Sequence, residues 1–367
     1  MPRPEDWLLN LLLYRPGHNG FSRYVQRVVP ALPGRRLWLG AEPAPQSPHG
    51  AGEPIPERFR LSPALQSLQQ LTLAQHGLPL RRRLRALGWS DVRAVYSPYP
   101  DYLFALGSLP QILTCHDLTP LHLPSSHRAH WRYRLWTPQH LQRAHRLIAI
   151  SRFVADQLMD LGMPASRLVV IANGIALPSA AVQAPGSHDW LLLARHDRNK
   201  NLAQAIQAFA GFLQRRRDWP GLLRIIGRDG RTTAQLQRLV AELGLQGRVQ
   251  LLASVPEPEL QRLLASAFAL VSTSLMEGFD YPVLEAKALG VPTLISAIPV
   301  HLELHQGSSL LFASGDDPQG LQDAMLQLAD DPRLWAQLSQ AGRACAEALS
   351  LERQVAAIRT LMDDVLS

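Results

Sequence analysis

Glu277 and Glu285 stand with seven residues between them in the stretch Ser274-Leu-Met-Glu277-Gly278-Phe279-Asp280-Tyr281-Pro282-Val-Leu-Glu285-Ala-Lys287. A carboxylate accepts two hydrogen bonds from a vicinal diol, so paired acids suit a ligand rich in hydroxyls. Gly278 marks a turn between them, and Pro282 fits the first position of a helix, where its missing N–H would have no partner anyway. The pattern predicts a strand over Phe268–Thr273, a tight loop, and a helix over Pro282–Leu289. The amides of Gly278–Tyr281 and the helix N-terminus then converge on an anion site, whose usual guest is phosphate. A nucleotide sugar reconciles that anion with the acids, because its middle is anionic and both ends carry hydroxyls. Glu277, before the loop, takes the hexose. Glu285 is one turn into the helix with its Cβ leaning toward the N-terminus, and takes the ribose. For the two acids alone, a solvated surface turn is the plainer alternative.

Two further stretches carry groups for such a ligand. Trp190-Leu-Leu-Leu-Ala194-Arg195-His-Asp-Arg198-Asn-Lys200-Asn201 ends a strand and precedes a helix that Asn201 is placed to start. Arg195 offers a planar fork of donors and Lys200 a point charge, a pair that fits a diphosphate. Gln111-Ile-Leu-Thr-Cys115-His116-Asp117 is a strand ending in His-Asp. A His there lies on the ligand side of a parallel sheet. His116 can bond a sugar hydroxyl or the reacting oxygen, and Asp117 can orient it or contact acceptor. A buried His beside a helix-capping Asp is the plain alternative. Cys115 alternates to the opposite face and reads as core.

These residues together resemble a known family. Glu277, seven residues, Glu285 resembles the E-x7-E motif of retaining GT-B glycosyltransferases of family 4, and Ala286–Ser296 resembles the usual continuation. Arg195 to Asn201 is similar to that family's Gly-Arg…Lys-Asn segment, with Ala194 in place of Gly. Thr114–Leu118 is similar to its Thr-x-His-Asp-Leu segment. Tyr14–Tyr24 resembles its first Gly-rich loop, with Gly20 retained, which implies a donor contact there. Val170–Ile175 resembles its Asn-Gly-Ile-Asp turn, with Ala176 for Asp, and reads as a structural turn at the hinge whose Gly174 would tolerate positive φ. The resemblance implies transfer of a hexose, with mannose and GDP-mannose favoured, and retention of configuration. It also implies a glycan or lipid-linked acceptor and a role in surface polysaccharide or lipopolysaccharide assembly. Glu277, His116, Arg195 and Lys200 form the expected catalytic set. Gly278, Phe279, Asp280 and Glu285 complete the donor contacts. No Asp-x-Asp occurs, and neither metal nor other cofactor is expected. His122, His127, His130 and His145 lack ligand spacing. A GT-B epimerase or phosphorylase, or a nucleotide-sugar-binding protein without catalysis, are the alternatives. A phosphorylase would need a pyridoxal lysine, and neither Lys200 nor Lys287 suits that role.

Apolar strands alternate with amphipathic helices along all 367 residues, so the fold class is α/β. Two Rossmann-like, doubly wound parallel-sheet domains facing across a cleft are expected. Residues 1–178 would bind acceptor, 179–350 would bind donor, and the helix 351–367 would cross back to the first domain, with Leu351 where the family often has Trp. Ala41–Pro56 reads as a loop, Ala64–His76 and Ser126–Ala144 as helices, Leu177–His188 as the linker, and Leu302–Glu303 as a turn.

Charge is uneven. Residues 1–178 hold 20 Lys and Arg against 10 Asp and Glu, whereas 179–367 hold 17 against 20. A basic first half suggests an anionic partner, and Arg81–Arg85 with Leu80, Leu84 and Leu87 reads as a short basic amphipathic helix able to touch anionic membrane. His130–Trp136 mixes aromatics with arginines and suits a membrane interface or, at helical spacing, plain packing. Nucleic acid is not the expected partner. The apolar run Leu8–Tyr14 lacks a small-residue cleavage site, so no signal peptide is expected. Two cysteines give no disulfide framework and fit a reducing, cytoplasmic compartment.

Overall fold

The computed structural model describes residues 3–14, 20–39, 52–55, 78–123, 127–179 and 184–367. They form two units, Met1–Gly174 with Leu351–Ser367, and Ile175–Ser350. The division falls four residues before the expected boundary at 178.

In the first unit β1 (Trp7–Leu11), β2 (Arg35–Leu39), β3 (Gly52–Ile55), β4 (Ala94–Ser97), β5 (Gln111–Cys115), β6 (Arg146–Ala149) and β7 (Leu168–Val170) form one parallel sheet. Its order is β3-β2-β1-β4-β5-β6-β7. Every residue of β1, β4 and β5 is buried, as parallel strands covered on both faces require. The closing helix Leu351–Leu366 belongs to this unit. Its Val355, Ile358, Leu361 and Met362 join the core around Tyr24, Val25 and Val28. Gln354 fixes the register, accepting from the Gly174 amide at 2.8 Å and donating to Asn173 Oδ1 at 3.1 Å. Gly174 does not use the positive φ open to it; Gln354 holds its amide.

Three expectations about elements change. Gly52–Ile55 is an edge strand paired with β2, where a loop over Ala41–Pro56 was expected. The helix expected over Ser126–Ala144 breaks into His127–Trp131, a π turn over Arg132–Trp136, and Thr137–Leu141. Pro138 is the reason: it has no N–H to give and its ring excludes the carbonyl four residues back. The preceding turn therefore widens, and the Thr137 amide reaches five residues back to the Arg132 carbonyl. The expected helix over Ala64–His76 lies outside the described residues.

In the second unit β8 (Trp190–Leu193), β9 (Leu223–Ile226), β10 (Val249–Leu252), β11 (Ala269–Ser272), β12 (Thr293–Ser296) and β13 (Leu310–Phe312) form a parallel sheet. Its order is β10-β9-β8-β11-β12-β13. The chain winds outward in both directions from β8 and β11, so ligands are expected beyond the carboxyl ends of that pair. Behind it, Trp190, Phe212, Trp219 and Phe268 pack edge to face. Gly227, after β9, is required by close approach: a Cβ there would lie 1.9 Å from the Ala194 carbonyl oxygen. A helix, Pro299–His305, replaces the turn expected at Leu302–Glu303. Among the described residues no helix is long and apolar enough to cross a membrane.

Lys287 is a cost built into this unit. It is fully buried, and its Nζ donates to Ser308 Oγ at 2.6 Å. Burial, partly offset by the Cys345 sulfur, lowers its pKa from 10.5 to about 8. The unfolded chain therefore holds that proton more tightly, and stability rises with pH between about 8 and 10.5. Replacing Lys287 by Met should stabilise the protein at pH 7 by about 1–3 kcal/mol, with the gain shrinking toward pH 10. Urea unfolding at the two pH values measures it, and Ser308 keeps its bond to the His305 carbonyl either way.

Candidate active site

The carboxyl ends of β8 and β11 bring together residues far apart in sequence. After β8 a short turn, Arg198–Lys200, is fastened to the segment after β11. The Leu275 amide donates to the Asn199 carbonyl at 2.8 Å, and Thr273 Oγ1 donates to the Lys200 carbonyl at 2.7 Å. These bonds set Lys200 beside the loop that leads into the helix Tyr281–Leu289. Lys200 Nζ donates to Glu277 Oε1, which also accepts from Ser274 Oγ at 2.8 Å. Burial works against the Lys200 charge, but the carboxylates of Glu277 and Asp280 outweigh it and hold its pKa above 10.5. Arg195 lies close enough to oppose that charge, is half exposed, and pairs with Asp197 at 3.0 Å.

Three of the expected donor residues lie on the loop itself. Gly278 is buried, and Phe279 turns its ring inward against Tyr281. Asp280 also turns inward: its Oδ2 accepts from Ser272 Oγ at 2.6 Å and from His301 Nε2 at 3.1 Å. The Phe279 and Asp280 side chains are thus committed to the protein, and these residues can offer a donor only their backbone. Glu285 sits on the same helix and is buried. Asn201 stands at the start of the helix Leu202–Arg215 but does not cap it, correcting the expectation. It adopts the left-handed conformation, φ 46°, and sends its amide to the Gly315 carbonyl at 2.7 Å.

The network beneath the loop was not foreseen. Ser296 Oγ donates to the Ser274 carbonyl at 2.6 Å, and His301 Nδ1 bonds the Ser296 carbonyl at 2.8 Å. A signal for it was present: Ala269–Val271 of β11 runs into Ser272-Thr273-Ser274 and Leu294–Ile295 of β12 into Ser296, so hydroxyls gather at the same ends.

In the first unit His116 follows β5 and is buried. Its Nε2 lies 2.7 Å from the Pro98 carbonyl, so that nitrogen carries the hydrogen and Nδ1 is left as an acceptor. Tyr24 and Phe21 close on the ring edge to face at 4.5 and 5.0 Å. Burial lowers the His116 pKa to about 4, so it is neutral at pH 7 and can only accept through Nδ1. Asp117 Oδ1 accepts from the Thr119 amide at 3.2 Å and helps start the short helix Thr119–His122. Cys115 is fully buried, and burial pushes its thiol pKa far up, so it is no nucleophile. Gly20 opens the helix Gly20–Val28 and is exposed; residues 15–19 before it lie outside the described residues. Among the described residues no cluster of three or more His, Cys, Asp or Glu could hold a metal ion.

The two parallel sheets with their flanking helices are those of the GT-B fold. Family profiles match in the same order: "Glycosyltransferase Family 4" over residues 18–177 and "Glycosyl transferases group 1" over 183–344. The chain belongs to the family 4-like GT-B glycosyltransferases. It is 26% identical over 225 residues to the O-antigen chain mannosyltransferase RfbU of Salmonella typhimurium, covering 60% of this chain and 62% of that one. It is 33% identical over 190 residues to the GDP-mannose:cellobiosyl-diphosphopolyprenol alpha-mannosyltransferase of Xanthomonas campestris, covering 50% and 49%. The matches thus span about half to three-fifths of these curated relatives. Among solved structures, Anabaena Alr3699/HepE in complex with UDP and glucose superposes with a TM-score of 0.74 at 17% identity, over 98% of this chain and 99% of that one. Sucrose-phosphate synthase from Thermosynechococcus elongatus gives 0.76 at 19%, over 98% of each. These two likenesses show the fold.

Proposed function

We propose that the protein transfers a hexose, mannose in preference, from a nucleotide sugar to a glycan or lipid-linked acceptor with retention of configuration and without a metal. The observation that carries this reading is the Lys200–Glu277 pair at the strand ends, beside the N-terminus of the Tyr281–Leu289 helix. The cation and the helix terminus suit a diphosphate, and the acid suits a sugar ring. Arg195 adds a second cation, and Glu285 takes the ribose. The bond from the sugar's C1 to the diphosphate oxygen breaks as the acceptor oxygen bonds C1 from the same face. The departing phosphate oxygen takes the acceptor's proton, and Lys200 with the loop amides stabilises the charge on the diphosphate. His116, neutral and accepting through Nδ1, positions a hydroxyl of sugar or acceptor.

The mannosyltransferase relatives support mannose and GDP as the donor pair. The O-antigen relative also supports a role in surface polysaccharide or lipopolysaccharide assembly; the excess of arginine in the first half is what supports a cytoplasmic enzyme lying against an anionic membrane. The test is turnover of GDP-mannose, UDP-glucose and UDP-galactose, with diphosphopolyprenol-linked cellobiose as first acceptor. Transfer from GDP-mannose, an axial product linkage by NMR and an unchanged rate in EDTA are expected. Inversion, or a rate that needs added metal, would contradict the proposed mechanism.

A further inference from the structure

We propose that His301 is a positioning residue for donor binding: by gripping the Asp280 carboxylate it keeps an acid off the N-terminus of the Tyr281–Leu289 helix and leaves that terminus to the donor's diphosphate. The inference rests on the donor reading above and goes beyond it. Asp280 occupies the N-cap position of this helix, where an Asp ordinarily folds its carboxylate over the first amides. Here it makes no such cap. It adopts the left-handed conformation, φ 72° and ψ 70°, and delivers Oδ2 to Ser272 and His301.

His301 is built to hold it. The ring is fully buried on the first turn of the Pro299–His305 helix. Its two nitrogens face the Ser296 carbonyl at 2.8 Å and Asp280 Oδ2 at 3.1 Å. A carbonyl and a carboxylate both only accept, so the two ring nitrogens are placed to donate one hydrogen bond each. The other charged and titratable groups nearby are Lys200 and, through it, Glu277 and Arg195 on the loop side. On the far side are His305, whose ring lies 6.0 Å from that of His301, and Lys287. Asp280 therefore has cations on two sides, and its charge is neutralised below the place where an anion is to bind. Without that ring, the carboxylate is released next to the positive end of its own helix. There it competes with phosphate for the same amides and repels it.

The test is calorimetric titration of GDP, with UDP in parallel, into wild type, His301→Gln, Asp280→Gly and the double variant. His301→Gln is expected to weaken GDP binding by about tenfold or more, since an uncancelled charge now sits at the site. Adding Asp280→Gly should restore affinity to within about threefold of wild type, because the misplaced carboxylate is gone. Glycine accepts the positive φ at that position without strain. A purely structural role for His301 makes the double variant no better than the single, and that result overturns the proposal. Independently of any ligand, ¹⁵N signals of the wild-type ring at pH 7 should show both nitrogens protonated; a neutral ring overturns it as well. Wild type that binds neither nucleotide would instead overturn the donor reading, and the ring signals would still decide the pairing.

Discussion

Glu277→Gln is expected to lower hexosyl transfer by roughly 10²–10⁴-fold while leaving GDP affinity unchanged or tighter. Two consequences of one geometry give this split. The carboxylate is the group assigned to the sugar ring, so its loss falls on the step in which the ring develops positive charge. It is also the partner that occupies Lys200 Nζ. Freed from it, the lysine has more to give an incoming diphosphate. The amide of Gln keeps the bond from Ser274 Oγ, so the loop should stay in place. Steady-state kinetics and GDP titration on one preparation test this. A variant that loses nucleotide binding in step with turnover would make Glu277 a fastener of the loop and not a sugar ligand.

Lys200→Met should do the reverse. Nucleotide affinity is expected to fall by about tenfold or more, and kcat/KM by roughly 10²–10³-fold, the usual cost of removing one aimed donor from a developing oxyanion. Met also leaves Glu277 without its cation, so an uncompensated carboxylate then faces the diphosphate, while Asp280 stays held by Ser272 and His301. The sign of the pH effect follows from the direction of the shift. The folded-state pKa of Lys200 is raised, so its charge and the stability of the pair are fully present below the ordinary lysine value of 10.5. They are lost only as pH rises beyond that. Activity in the wild type should therefore show no alkaline fall caused by Lys200 between pH 7 and 10. Lys287 itself has a pKa of about 8, so the decisive result is a fall between pH 7 and 10 that persists in Lys287→Met; that would contradict the pairing.

The double change Lys200→Met with Glu277→Gln should cost less than the product of the single losses, because the two groups share one contact.

Much of this was legible before any coordinates. Both sheets announced themselves in short apolar runs, since strands buried on two faces admit little else. The order Glu277, turn, proline, Glu285 places an acid on each side of a helix start, and local rules suffice to read that. What local rules missed depends on distant partners. Asp280 was read as a donor contact through the loop amides, and its backbone remains available for that; only the ends of β11 and β12 and the helix after β12 show that its carboxylate is already taken. His301 carried no spacing signal, as its partners lie 5 and 21 residues away. Asn201 resembled a cap by type, but the Gly315 carbonyl, more than a hundred residues on, claims its side chain. The interruption over Arg132–Trp136 was readable in principle from Pro138. The periodicity of the flanking apolar residues obscured it.

A crystal structure of the GDP complex tests the central claim most directly. The expected result is a diphosphate within hydrogen-bonding distance of Lys200 Nζ, the Arg195 guanidinium and the amides that open the Tyr281–Leu289 helix, with Glu277 facing the vacant sugar position. A diphosphate that touches neither cation, with Lys200 still held by Glu277, would contradict it.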